Sequence, residues 1–207
     1  MKKPLMYAVR HGSTTDSELN IFRGQRNSAL DKKGFLDAHD LKEFFEGKEW
    51  DRIFCSPMMR AIQTATIICD DQSAYQPEAI NGLEPWAIGT ELTGAPKTAK
   101  NKERMSYYID NPHEVPAGGE CRYDFEHRIW PILAEGIDLG WKQSVPSIMV
   151  VHSSVLHSLN HLLEGENHRD VSVKPGGAIE VFFEDGEINH RPIYKPTTDD
   201  SSFQGNS

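Results

Sequence analysis

The segment Leu5-Met6-Tyr7-Ala8-Val9-Arg10-His11-Gly12 determines the architecture expected for this chain. Its first five residues form a short apolar run, preceded by Pro4 and followed by polar, turn-prone residues, which is typical of a buried β-strand. Ligands of open α/β sheets bind beyond the carboxyl ends of the strands. Arg10 and His11 arrive at that end, and Gly12 would let the backbone approach a ligand. The segment therefore indicates an anion site that contains a nucleophile.

A second strand and helix indicate the same kind of site. Ile53–Cys55 is a short apolar run, and Ser56 followed by Pro57 predicts a helix start, with Ser56 as the cap. The amino end of a helix presents unpaired N–H groups and a partial positive charge, which suit a phosphate. Arg60 lies in the predicted first turn, so its guanidinium can reach the same edge of the sheet.

A third strand ends in a histidine. Ser147–Val151 is apolar, His152 follows it, and a helix is predicted over about 154–164. Three strand ends would thus deliver Arg10 and His11, Arg60, and His152 to one place.

Three motifs in this order resemble the histidine phosphatase superfamily, also called phosphoglycerate mutase-like. They are RHG at 10–12, CSPMMRAIQTA at 55–65 and VVHSS at 150–154. The resemblance implies a three-layer α/β/α sandwich whose central sheet is mostly parallel, with an antiparallel edge. It also implies metal-independent, cofactor-free hydrolysis of a small phosphomonoester through a phosphohistidine on His11. Arg10 and Arg60 would hold the phosphate oxygens, and His152 would stabilise the transferring group.

The resemblance also suggests substrate contacts, although the chain departs from the family pattern at some of them. Gly12 and Gly24 match the family's glycines. Ser17 stands where the family commonly has Asn, Arg23 would substitute for an Arg that precedes the second glycine, and Ser153 replaces the usual Gly. We expect these five residues to contact the substrate.

The chain also departs from the family pattern at the carboxylic acid that protonates the leaving group. The family segment Leu-Arg-Glu is replaced by Leu-Glu-Pro at 83–85, so that the position of the acid falls on Pro85. Glu84 is the first candidate, with Glu91 and Asp16 as alternatives. The next residue, Trp86, is expected to anchor the loop on the core.

Length and composition limit the alternatives. A chain of 207 residues fits one domain, predicted over 1–195 with a disordered tail at 196–207. A net charge of −9 argues against nucleic acid, and no apolar run is long enough to span a membrane. Three cysteines without metal spacing and the lack of a signal peptide indicate the cytoplasm. Further elements are predicted as helices at 32–45, 98–110 and 120–138, a loop at 73–96, and a hairpin of 178–183 with 187–193.

Two other functions stay open. One is a mutase that returns the phosphoryl group to another hydroxyl group. The other is a non-catalytic protein that binds phosphorylated ligands, which the displaced Glu84 would permit. The expected partner is a small phosphorylated metabolite, and the oligomeric state is left open, a homodimer included. Lys97, Lys100, Lys102 and Arg104 could contact a second anionic group of the substrate, and they are interpreted here as a basic exposed helix face.

Overall fold

A computed structural model describes residues 1–69, 76–165 and 172–196. The predicted disordered tail lies almost wholly outside these residues. The strands are β1 (Lys3–Arg10), β2 (Ile53–Cys55), β3 (Glu78–Ala79), β4 (Ser147–Val151), β5 (Ala178–Glu184) and β6 (Glu187–Tyr194). The helices are α1 (Lys32–Phe45), α2 (Met59–Cys69), α3 (Ala99–Asp110), α4 (Arg122–Gln143) and α5 (Ser153–Glu164).

The strands form one sheet in the order β3-β2-β4-β1-β5-β6. β1 pairs in parallel with β4, β4 with β2, and β2 with β3, whereas β5 runs antiparallel to β1. The turn between β5 and β6 places Asp185 and Gly186 at φ values of 54° and 91°, which suits the tight hairpin predicted for this Asp-Gly pair. The mostly parallel sheet with an antiparallel edge is thus confirmed.

Helices cover both faces of the sheet. Side chains of β1 alternate between two apolar clusters, with Tyr7 and Val9 packing against α1 and α2, and Met6 and Ala8 packing against α4 and α5. This alternation follows from the two-residue period of a strand. The three-layer arrangement is therefore confirmed.

Some boundaries differ from the predictions. α1 has the predicted limits because the Asp31 side chain accepts a hydrogen bond from the N–H of Gly34. α2 begins at Met59, two residues after the predicted start at Pro57. α4 continues to Gln143, beyond the predicted end at 138, and Gly140 within this extension lets the helix pack closely on the backbone of Leu5. Within the described ranges, no helix has the length and apolar character needed to cross a membrane.

Candidate active site

The polar residues that follow neighbouring strands meet at one edge of the sheet. Arg10 ends β1 and pairs with Val151 of β4, so that His11 and His152 leave adjacent parallel strands side by side. Their ring centroids are 5.1 Å apart. A cavity of about 350 Å³ opens above them. Its charged and polar lining includes Arg10, His11, Arg23, Arg60, Lys97 and His152.

One ring nitrogen of His11 is available as a nucleophile. His11 Nδ1 lies 2.7 Å from the carbonyl oxygen of Gly12. A carbonyl only accepts hydrogen bonds, so Nδ1 carries the proton and Nε2 carries the lone pair. Arg60 Nε donates a hydrogen bond to this Nε2 over 3.1 Å. The carbonyl oxygen of Gly12 thus fixes the tautomer of His11. The guanidinium of Arg60 places a positive charge beside Nε2, where an anion would bind.

Both histidines are held in the neutral form. Burial lowers the pKa of His11 well below its usual value, and the positive charges of Arg60 and Arg10 lower it further. Burial likewise lowers the pKa of His152, with a further contribution from His11. A neutral imidazole has a free lone pair, which nucleophilic attack requires.

The arginines form a cationic cluster with unused hydrogen-bonding capacity. Arg60 is only 1% exposed, and burial lowers its pKa to about 9, with Arg23 adding repulsion. Burial and Arg23 lower the pKa of Arg10 to about 10. The Nε atoms of Arg10 and Arg23 are buried without a partner. Such a cluster favours an anion with several acceptor oxygens, as a phosphate has.

Backbone contacts hold these side chains in place. Arg10 Nη1 donates to the carbonyl oxygen of Val173 over 2.6 Å, and Arg60 Nη1 donates to that of Arg26 over 2.7 Å. His152 Nε2 pairs with Ser56 Oγ at 2.7 Å, which leaves its buried Nδ1 unpartnered. Ser56, which was predicted to cap a helix that in fact begins at Met59, therefore orients a histidine of the site.

Gly12 has a different role from the one expected. A Cβ atom on Gly12 would lie 2.5 Å from the carbonyl oxygen of Gly34, and one on Gly34 would lie 1.9 Å from that of Ser13. Gly12 therefore allows α1 to pack closely on the loop after β1, and it does not line the cavity. Its carbonyl oxygen acts on the site indirectly, by fixing His11.

The other expected substrate contacts divide into two groups. Arg23, Gly24 and Ser153 line the cavity. Ser17 does not line the cavity. Its hydroxyl accepts hydrogen bonds from Arg23 Nη2 at 3.3 Å and from the N–H of Thr14 at 2.8 Å. Ser17 thus supports Arg23.

None of the three candidate carboxylates lines the cavity. Glu84 Oε2 accepts a hydrogen bond from the N–H of Gly82 at 2.8 Å and lies 3.6 Å from Arg128 Nη1. These contacts turn the side chain of Glu84 away, and its neighbour Pro85 faces the cavity instead. The acid role predicted for Glu84 therefore lacks geometric support.

The two alternatives are also paired elsewhere. Glu91 bonds Arg104 at 2.6 Å, and Asp16 accepts from Arg26 Nε at 3.0 Å and from the hydroxyl of Ser28. These hydrogen bonds lower the pKa of Asp16.

Lys97 and an apolar wall complete the cavity, and the sequence did not predict the apolar wall. Lys97 lines the cavity, and burial together with Arg23 and Arg10 lowers its pKa. The position of Lys97 depends on the path of the long loop before α3, and no local sequence pattern in that loop predicts this path. The apolar part of the lining includes Phe22, Pro85, Trp86, Ile88, Met105 and Ile109.

The loop that carries Trp86 is held by a salt bridge. Arg128 Nη2 lies 2.6 Å from Glu120 Oε1, and Arg128 also donates to the carbonyl oxygens of Gly82 and Glu84. Glu120 in turn accepts from the N–H of Ala87, and its carbonyl oxygen accepts from Trp86 Nε1 at 2.9 Å. Trp86 is 5% exposed and stacks on Phe125, as expected of a loop anchor.

The fold and the site together define an α/β protein with a histidine and an arginine cluster beyond the carboxyl ends of its strands. The model of the histidine phosphatase superfamily (branch 1) matches residues 6–189, and the chain belongs to this family.

Similar proteins include phosphatases and mutases. The chain is 29% identical over 187 residues to "Putative phosphoserine phosphatase 2" of Hydrogenobacter thermophilus, covering 86% of this chain and 89% of that protein. It is 29% identical over 181 residues to the 2,3-bisphosphoglycerate-dependent phosphoglycerate mutase of Cytophaga hutchinsonii, covering 82% and 81%. The structure of the alpha-ribazole phosphatase from Shigella flexneri superposes with a TM-score of 0.72 at 22% identity, covering 93% and 96%.

Proposed function

We propose that the protein is a metal-independent phosphatase that hydrolyses a small phosphomonoester through a phosphohistidine on His11. The observation that carries this proposal is the neutral, oriented imidazole of His11, whose Nε2 accepts a hydrogen bond from the buried Arg60 beside Arg10 and Arg23. Phosphoryl transfer requires in-line positioning and neutralisation of the phosphate oxygens, and this arrangement can supply both.

In the first step, His11 Nε2 attacks phosphorus and forms an N–P bond as the ester P–O bond breaks. Arg10, Arg23 and Arg60 hold the equatorial oxygens, and Arg60 exchanges its bond to Nε2 for one to the phosphate. His152 donates a hydrogen bond to the transferring group through Nδ1, because its Nε2 is paired with Ser56 Oγ. The released oxygen leaves with the electron pair of the broken bond.

In the second step, water attacks phosphorus and His11 Nε2 leaves. Inorganic phosphate forms, and the imidazole returns to its neutral state with the proton still on Nδ1. The amino end of α5, where Ser153 and Ser154 line the cavity, adds partial positive charge for the phosphate. No step uses a metal ion.

The alternative is the mutase reaction, in which a second hydroxyl group replaces water as the acceptor. The similarity to a phosphoglycerate mutase over 81% of that protein's length keeps this candidate open. Hydrolysis is favoured because a mutase must also move protons between two alcohol groups, and Glu84, Glu91 and Asp16 are all bound to other partners.

The test is hydrolysis of p-nitrophenyl phosphate in the presence of a chelator, comparing the wild type with His11→Ala. His39→Ala, a change at an exposed position of α1, is the matched control. We expect turnover in the wild type and control, no turnover in His11→Ala, and a phosphorylated intermediate that is labile to acid and stable to base.

Two results would contradict the proposal. Activity that survives His11→Ala would place the nucleophile elsewhere. Transfer of phosphate between the hydroxyl groups of a phosphoglycerate, without release of inorganic phosphate, would favour the mutase.

A further inference from the structure

The cavity has two chemically distinct halves. Its floor carries the arginines with His11 and His152, and its wall carries the six apolar side chains named above; His157 also lines the cavity. A volume of about 350 Å³ lies at the small end of the range of roughly 300–1,000 Å³ for pockets that enclose small molecules. A phosphate on the floor would therefore leave its ester group against an apolar surface.

The apolar wall comes from two elements that meet over the phosphate site. Pro85 and Trp86 are buried and belong to the loop held by Arg128. Met105 and Ile109 lie four residues apart on α3, on the side that faces this loop across the cavity. Ile109 is 39% exposed, so a ring placed beside it would cover apolar surface that now faces water.

The described residues that line the cavity include no carboxylic acid to protonate the leaving oxygen; His157 and Lys97 are the nitrogen groups of the lining besides the arginines, His11 and His152. A phenol ionises with a pKa of about 10, as tyrosine does. An aliphatic alcohol is a far weaker acid, with a pKa closer to that of water. A phenolate can therefore leave without a proton, whereas an alkoxide depends on a general acid.

We propose that the substrate is a small phosphate ester of an aromatic hydroxyl group, whose ring packs against Trp86, Met105 and Ile109. This inference rests on the proposed phosphatase function and specifies its substrate class. The ring would provide both the apolar surface that the wall fits and a leaving group that needs no proton donor. The reaction balances as before, with the phenolate taking the electron pair of the P–O bond and later a proton from solvent.

The first experiment compares kcat/KM for a series of substituted phenyl phosphates with that for β-glycerophosphate. A general acid contributes about 10²–10⁴-fold to such reactions. We therefore expect β-glycerophosphate to react about 10²–10⁴-fold more slowly than phenyl phosphate. Within the series, kcat/KM should rise steadily as the phenol becomes more acidic.

The possible failures are distinguishable. If β-glycerophosphate reacts within about tenfold of phenyl phosphate, a proton donor operates and the substrate proposal is wrong, while the phosphatase function stands. If no ester phosphorylates His11, the proposed function and this inference both fail.

A second experiment tests the ring contact separately from the leaving group. Acetyl phosphate has an acidic leaving group and no ring. The ratio of kcat/KM for phenyl phosphate to that for acetyl phosphate therefore measures the contribution of the contact between the ring and the apolar wall. Ile109→Ala should lower the ratio of kcat/KM for phenyl phosphate to that for acetyl phosphate by about tenfold, as expected for lost apolar contacts. Tyr107→Ala, on the exposed side of the same helix, should leave the ratio unchanged. An unchanged ratio in Ile109→Ala would mean that the ring of the substrate does not pack against this wall, and the proposed ring contact would be wrong.

Discussion

Arg60 Nε donates a hydrogen bond to His11 Nε2 over 3.1 Å, so the cation that would receive the phosphate is bonded to the atom that would attack it. The two residues are 49 positions apart and come from α2 and the end of β1. Both are buried, Arg60 at 1% and His11 at 2% exposure. In the proposed reaction, substrate binding moves the guanidinium from the imidazole to the phosphate, so that a substitution of Arg60 would affect both.

Replacement of Arg60 by lysine should be damaging despite the retained charge. A lysine keeps a point charge but loses the planar set of donors that contacts His11 and the carbonyl oxygen of Arg26. We expect kcat to fall by about 10²–10³-fold, the usual effect of removing a donor that stabilises the transition state. Steady-state kinetics of Arg60→Lys on p-nitrophenyl phosphate would measure this effect.

The control for that variant is Arg52→Lys, which alters an arginine whose side chain is 54% exposed and only loosely paired with Asp51. It should behave like the wild type. Near-normal activity of Arg60→Lys would show that charge alone suffices at this position.

Stability should fall as the solution becomes acidic, because His11 and His152 are buried in the neutral form. Burial lowers the pKa of each in the folded state, whereas the unfolded chain takes up protons at about 6.5. The unfolded state therefore binds more protons below about pH 6.5, and this favours unfolding. Between pH 7 and 5.5 the two residues should together cost about 2 kcal/mol in the free energy of unfolding.

Urea denaturation at several pH values would measure this dependence. His11→Gln removes one of the titrating groups and should remove about half of the decrease. Equal slopes for the wild type and His11→Gln would mean that folding does not shift the pKa of His11.

The close approach of Gly12 and Gly34 should make either glycine intolerant of a side chain. In Gly34→Ala the new methyl group would lie 1.9 Å from the carbonyl oxygen of Ser13, so α1 must shift. Overpacking of this kind costs about 1–3 kcal/mol. The shift should also lower activity, because the carbonyl oxygen of Gly12 orients His11.

Thermal unfolding and kinetics of Gly34→Ala would test this prediction, with Gly47→Ala as the control. Gly47 has a φ of +78° and no neighbour within 4 Å of the added methyl group, so its substitution adds backbone strain alone. Gly34→Ala should lose activity that Gly47→Ala retains.

The sequence predicted the charged core of the site because each of those residues directly follows a strand or opens a helix. Arg10, His11 and His152 belong to such short segments, and parallel pairing brings their strand ends together. Gly12 was misjudged because a glycine beside a histidine suits either a ligand or a backbone contact. Only the three-dimensional path of α1, and with it Gly34, distinguishes the two.

The apolar wall and the place of Glu84 depend on contacts between distant segments. Arg128 of α4 holds Glu84 and the carbonyl oxygen of Gly82 from 44 to 46 residues away. No local pattern around Leu83 contains that information. In the same way, α1 exposes Leu36 and buries Asp37, because Asp37 accepts a hydrogen bond from the N–H of Ser13 at the site.

The salt bridge between Glu120 and Arg128 should control the position of Trp86. Glu120→Gln keeps the size of the side chain but weakens its bonds to Arg128. A displacement of about 1 Å at a reacting centre can cost up to about 100-fold, so we expect kcat/KM to fall by roughly tenfold or more. The Arg122→Gln control alters an arginine of the same helix that pairs with Glu126 at 3.7 Å, and it should retain activity. Unchanged kinetics in Glu120→Gln would mean that the loop is held by its other contacts.

A carboxyl group introduced at the cavity wall should supply the carboxylic acid that the described lining of the cavity lacks. Pro85 faces the cavity, while the side chain of Glu84 is turned toward Arg128. Pro85→Glu should therefore raise kcat/KM for β-glycerophosphate by at least about tenfold, a part of what a well-placed general acid contributes. The gain on phenyl phosphate should be small, because a phenolate needs little protonation. Glu84→Gln is the matched comparison at the adjacent position, and it should leave the ratio of alkyl to aryl turnover unchanged. A selective loss of alkyl turnover in Glu84→Gln would instead show that Glu84 swings into the cavity and acts as the acid.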